Sequence, residues 1–151
     1  MRLLRPHRLP LALCAVLATT ALHAASATIL GYWVEPSGSL IRIATCGHKL
    51  CIYIASLPPG RPATDVHNPD RALRDRPLCG LRIGEDFSER DPLQADGGHL
   101  YDPKSGRTYR GSMTADGDLL HLRGYIGLKL FGRTETWKRA SGPPPRPCGA
   151  K

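Results

Sequence analysis

An all-β domain, built as an eight-stranded antiparallel up-and-down barrel, is the fold class this sequence predicts. Three observations carry it. Short apolar runs recur between residues 29 and 139, each bounded by Gly, Pro, Asn or Asp. Most connections between them are of hairpin length. Beyond the N-terminal segment, no apolar stretch is long enough for a major helix. Eight strands is also the count at which a closed barrel either packs solid or holds one small ligand.

The first run is 29–34. The turn Glu35-Pro36-Ser37-Gly38 leads into 40–46, where Ile41 and Ile43 alternate about Arg42. Gly47-His48-Lys49-Leu50 reads as a four-residue hairpin loop before the Ile- and Tyr-rich run 50–57. After a long loop come 79–87 and 98–101, both weaker signals. Asp102-Pro103-Lys104-Ser105-Gly106 turns the chain into 107–114. Asp116-Gly117 is a two-residue hairpin signal, followed by 119–124, and 132–139 completes the set. Gly142-Pro143-Pro144-Pro145 then ends the domain, so 28–140 is the barrel and 141–151 a Pro-rich tail.

The N-terminus has the layout of a secretory signal. Arg2, Arg5 and Arg8 form a basic start, an apolar run follows over 9–22, and Ala25-Ser26-Ala27 fits a small-x-small cleavage site. Residues 1–27 therefore read as a cleaved leader, with Cys14 discarded inside it, and the protein as exported. Without those three arginines, the 21 basic residues fall to 18 against 13 acidic ones, a net +5. No Lys/Arg run exceeds two residues, and no basic stripe with interleaved aromatics suggests nucleic acid. Peripheral contact with an anionic envelope surface stays open.

Four cysteines remain: Cys46, Cys51, Cys79 and Cys148. An even count in an exported chain favours disulfides. Cys46 and Cys51 flank the first hairpin loop, at the spacing of facing positions on paired strands. That leaves Cys79 and Cys148 to tie the tail to the domain. A metal site at Cys46, His48 and Cys51 would need reduced thiolates and a fourth ligand, so neither metal nor cofactor is expected.

The connection 58–77 is long for a compact domain, which marks a lid or a functional loop. Asn68-Pro69-Asp70 reads as a helix start, with Asn68 the cap and Arg74 one turn beyond Asp70; Pro77 stops it. Asp65, Asn68, Asp70, Arg74 and Arg76 form the candidate gate set, on one short helical turn across a barrel end, where the turn either plugs apolar strand ends or gates a ligand.

Chemistry is harder to find. There is no Gly-x-Ser-x-Gly elbow, and no two histidines sit at ligand spacing; His121, between Leu120 and Leu122, either faces solvent or is a satisfied polar group on the inner face. On the last strand, Arg133, Glu135, Trp137 and Arg139 share a face. With Trp137 inward, Glu135 and Arg133 line the interior, where a charge must be paired or meet a ligand; the other register puts these charges outside. Tyr101, Arg110 and Arg123 join them as candidate ligand-binding residues.

These stretches resemble a family of bacterial periplasmic proteins known as domain of unknown function 2147. The resemblance is carried by Gly31-Tyr32-Trp33, Cys46-Gly47-His48-Lys49-Leu50-Cys51, Asp65-x-x-Asn68-Pro69-Asp70 and Arg74-x-Arg76-Pro77-Leu78-x-Gly80-Leu81. It continues through Leu100-Tyr101-Asp102-Pro103-x-x-Gly106-x-x-Tyr109, Arg123-Gly124-Tyr125 and Gly132-Arg133-Thr134-x-Thr136-Trp137-x-Arg139. It departs in the tail after Arg139 and in 86–96, which is more polar than expected. The resemblance implies a periplasmic, lipocalin/calycin-like barrel with no assigned activity. Trp33 and Arg139 also resemble the lipocalin pair in which a guanidinium packs across an indole to shut the barrel base. The expected function is non-catalytic binding of a small amphipathic or anionic ligand. The alternatives are a packed barrel acting as an envelope interaction module, and a hydrolase with an unrecognised site.

Overall fold

The structure, a computed structural model, describes residues 28–144 and Cys148. The expected leader, residues 1–27, and most of the tail lie outside the described residues. Eight strands run in chain order: β1 (Gly31–Val34), β2 (Leu40–Cys46), β3 (Lys49–Ser56), β4 (Arg82–Asp91), β5 (Gln94–Asp102), β6 (Arg107–Asp116), β7 (Leu119–Tyr125) and β8 (Arg133–Arg139). Each pairs antiparallel with the next, and β8 returns to β1 through Trp33↔Arg139 and Val34↔Lys138. Closure leaves no open sheet edge.

Two expectations about the strands change. The β2–β3 hairpin turns on two residues, Gly47 and His48, with Cys46 opposite Lys49 and Ala44 opposite Cys51. Gly47 takes φ +64°, which lets so short a turn close. The Cys46–Cys51 disulfide forms all the same, as a diagonal with Cα atoms 5.8 Å apart. The weak signals also become the long hairpin β4–β5, which includes the polar stretch 86–96. Within 86–96 only Phe87 and Ala95 are buried, while most charged positions face water. Half-buried strands need apolar residues on one face only.

At one barrel end, side chains fill the interior. Phe87 is fully buried, and a Cβ on either Gly98 or Gly111 would clash with its ring, at 2.3 Å and 2.8 Å from the nearest ring carbon. The missing side chains on β5 and β6 are what let the ring lie flat against the wall. Trp33, Ile43, Leu50, Ile52, Met113 and Leu120 complete this layer. The chain before β1 plugs the base: Ile29 N–H donates to Pro92 O (2.8 Å), and Trp33 Nε1 donates to Ile29 O (2.9 Å). Arg139 lies 4.0 Å from the Trp33 ring centroid and donates to the Thr28 and Leu30 carbonyls. Cys79 and Cys148 are bonded, with Cα atoms 5.1 Å apart.

Candidate ligand-binding cavity

The opposite end is open, enclosing a cavity of about 790 Å³, within the range of small-ligand sites. Apart from Glu35 and Ser39, its buried lining is apolar: Ile41, Ile54, Leu78, Ile83, Leu122 and Trp137. Charged side chains gather toward solvent, among them Arg61, Arg107, Arg133 and Glu135. Trp137 Nε1 donates to Glu135 Oε2 at 3.1 Å, which fixes the carboxylate beside the indole. Among the described residues, the Arg133 guanidinium has neither a hydrogen bond nor an ion pair.

Two carboxylates hold the mouth in shape. Asp65, in the 58–77 loop, is fully buried. Its Oδ1 accepts from Tyr101 Oη (2.7 Å), and its Oδ2 accepts from Asn68 Nδ2 (2.7 Å) and Arg76 Nε (2.8 Å). Burial alone would raise its pKa, but the bonds from Asn68, Tyr101 and Arg76 outweigh that and hold it below the ordinary value. The Tyr101 hydroxyl is pushed up, by burial and then by the neighbouring Asp65 charge. Arg76 also lies over the Tyr101 ring, 5.2 Å from its centroid. The loop therefore docks onto β5 through one saturated network. Gly106 makes the docking possible, because it sits at φ +70° and a Cβ there would overlap the His67 carbonyl oxygen.

Glu35 is the second carboxylate. It accepts from Ser37 N–H (2.9 Å), the Ser37 hydroxyl, Ser39 N–H (3.3 Å) and Lys104 Nζ (3.0 Å). Burial again works to raise its pKa; the bonds from Ser37, Ser39 and Lys104 prevail and bring it from 4.5 to about 2. The Lys104 pair links the β1–β2 turn to the β5–β6 turn across the mouth. Both carboxylates are thus ionised and spent on structural contacts. Neither is poised to give up a proton near neutral pH.

The family described as uncharacterized protein conserved in bacteria, DUF2147, matches residues 31–139. This chain belongs to that family. A solved structure described as protein HP1028 from the human pathogen Helicobacter pylori, belonging to the lipocalin family, has the same fold. The TM-score is 0.70 at 24% identity, over 77% of this chain and 85% of that one. No curated protein matches this chain.

In this DUF2147 barrel, many of the motif residues do architectural work: Trp33 and Arg139 shut the base, while Asp65, Asn68, Arg76, Tyr101 and Gly106 seat the loop. Of the expected ligand-facing residues, Tyr101, Arg133, Glu135 and Trp137 line the cavity. Arg110 and Arg123 do not. Each lies between two inward positions, Tyr109 and Gly111 for Arg110, Leu122 and Gly124 for Arg123, so the period-2 pleat turns both outward. Arg123 instead donates to the Lys129 and Leu130 carbonyls (2.8–3.0 Å) and to Thr134 Oγ1 (3.0 Å).

The gate set divides too. Asp70, not Asn68, caps the 3-10 turn Arg71–Leu73, accepting from Ala72 N–H at 2.9 Å. Asn68 Oδ1 accepts from Asp70 N–H one step earlier (2.9 Å). Arg74 donates to the Asn68 carbonyl (2.8 Å) and makes no ion pair with Asp70. Arg74 thus closes the loop on itself, which an i,i+4 reading does not anticipate. His121 faces outward, against Thr136 Oγ1 (3.1 Å). Sequence reading passed over Glu35, Arg61, Lys104 and Arg107 as sites. All four lie in or beside turns, and no local signal says that those turns ring one opening.

Proposed function

We propose that the protein carries a small amphipathic molecule in the barrel, with the apolar part inside and an anionic group at the rim. The 790 Å³ cavity, apolar within and basic at its edge, carries this reading. Arg133, which lacks a protein partner among the described residues, is the cation offered to the anionic group. Glu135, anchored by Trp137, orients polar atoms beside it. The reading also takes residues 1–27 as a leader removed on export, which places the protein in the periplasm. Two disulfides accord with an oxidising compartment.

Native mass spectrometry of protein purified gently from periplasm tests the carrier reading. The expected result is a reproducible bound mass that Arg133→Gln or Glu135→Gln diminishes. A protein that stays empty after exposure to envelope lipids would defeat it.

A further inference from the structure

The connection between β7 and β8 is anomalous for a protein surface. Ile126, Leu128, Leu130 and Phe131 are 66%, 67%, 80% and 77% exposed, four large apolar side chains within six residues. Scattered exposed leucines are ordinary, but a contiguous cluster marks a contact surface. Nor is the loop slack. The 3-10 turn Lys129–Phe131 is closed by bonds from Phe131 N–H to Leu128 O and from Gly132 N–H to Lys129 O, both 3.1 Å. From outside the barrel wall, the Arg123 guanidinium takes the Lys129 and Leu130 carbonyls together. Gly132 packs against the Gly124 carbonyl, where a Cβ would be 2.7 Å from the oxygen. A framework this braced holds the apolar side chains in water beside the opening.

We propose that this loop is a membrane-docking tip, which seats the cavity mouth on a bilayer containing anionic phospholipid. Charge complementarity selects the partner. Ile126 and Phe131 line the same opening as Arg61, Arg107 and Arg133, and none of these three guanidiniums has an ion pair among the described residues. The acids of that rim are bonded to protein groups, Glu35 to Lys104, Glu135 to Trp137 and Asp102 to Ser105 and the Lys104 N–H; with the Glu35–Lys104 pair set aside, the rim keeps three cations against two carboxylates. Apolar side chains entering the headgroup boundary beside cations that meet lipid phosphates are the paired signals that peripheral attachment requires. A second copy of the chain fits less well. A convex tip of four side chains falls short of the roughly 800 Å² per partner of a stable interface, and two basic rims would face each other.

Co-flotation of the mature protein with phosphatidylcholine vesicles, with and without phosphatidylglycerol, tests the tip. Binding is expected only where phosphatidylglycerol is present, and it should weaken as salt rises. The double variant Leu130→Ser/Phe131→Ser should lose about tenfold or more of that binding, with unchanged melting because both side chains are already in water. Arg61→Gln/Arg107→Gln should weaken binding while leaving the apolar tip intact. Equal flotation of the tip variant and the parent would overturn the proposal, as would binding indifferent to phosphatidylglycerol. A dimer of the parent that the tip variant dissociates would overturn it in favour of self-association. The docking and carrier readings fail separately. Vesicle binding by an empty protein sustains the tip alone, and a bound small molecule without vesicle binding sustains the cavity alone.

Discussion

The closed and open ends of this barrel are held by different physics. At the base, stability comes from apolar packing: Trp33, Phe87, Met113 and Leu120 fill the space between strands, and Arg139 lies across the Trp33 indole. At the mouth, the interior is left empty and the rim is held by two buried carboxylates, Asp65 and Glu35, each saturated with hydrogen bonds. A packed end is insensitive to pH and intolerant of lost volume. An end tied by ionised groups keeps its opening, but its stability depends on those groups staying charged.

That contrast can be broken in graded ways. The largest effect belongs to the base: Trp33→Ala should cost about 3–5 kcal/mol in urea denaturation, as for other buried aromatic truncations. Trp137→Ala should cost measurably less, because its ring already borders open space. Equal costs would erase the distinction between the ends. Next, Asp65→Ala should cost about 3 kcal/mol by leaving Arg76 and Tyr101 without their partner. Limited proteolysis should then cut within 58–77 while the barrel resists; an uncut loop would mean that the network does not seat it.

Acid sharpens the comparison further. The folded-state pKa of Glu35 is depressed from 4.5 to about 2. Its contribution is therefore fully present above pH 4.5 and lost as pH falls toward 2, by an amount on the order of 2–3 kcal/mol. Asp65, also depressed, acts in the same direction. Glu35→Gln should flatten the acid limb of a stability–pH curve, and a limb of unchanged slope would contradict that assignment. Gly98→Ala should cost about 1–3 kcal/mol by driving a methyl into the Phe87 ring, with no change in acid sensitivity. Smallest of all, Arg133→Gln should alter melting by less than about 0.5 kcal/mol. Any larger loss would show the guanidinium to be structural and remove the free cation from the rim.

Much of the barrel was legible because hairpin order is a local property. Turn residues such as Asp116-Gly117 and alternations such as Ile41-Arg42-Ile43 announce neighbouring strands without reference to distant residues. The β4–β5 hairpin was harder to see, since Phe87 and Ala95 are almost the only apolar markers amid 86–96. Half of the candidate site was legible for the same local reason: Arg133, Glu135 and Trp137 share one strand face. Arg110 and Arg123 were misplaced because facing was assumed for them instead of read from Tyr109, Gly111, Leu122 and Gly124 beside them.

By itself, the sequence pointed to the eight-strand order, the two cysteine pairings, the Trp33–Arg139 closure and the set of residues that share one face of β8. Each follows from short-range periodicity, from counting, or from a resemblance carried by particular residues. Only the tertiary structure decided which end stays open, that Glu35 meets Lys104 across it, and that Asp65 binds Tyr101. These partners lie 69 and 36 residues apart. Their meeting depends on how far each strand is staggered when the sheet closes, a global quantity that no local pattern encodes.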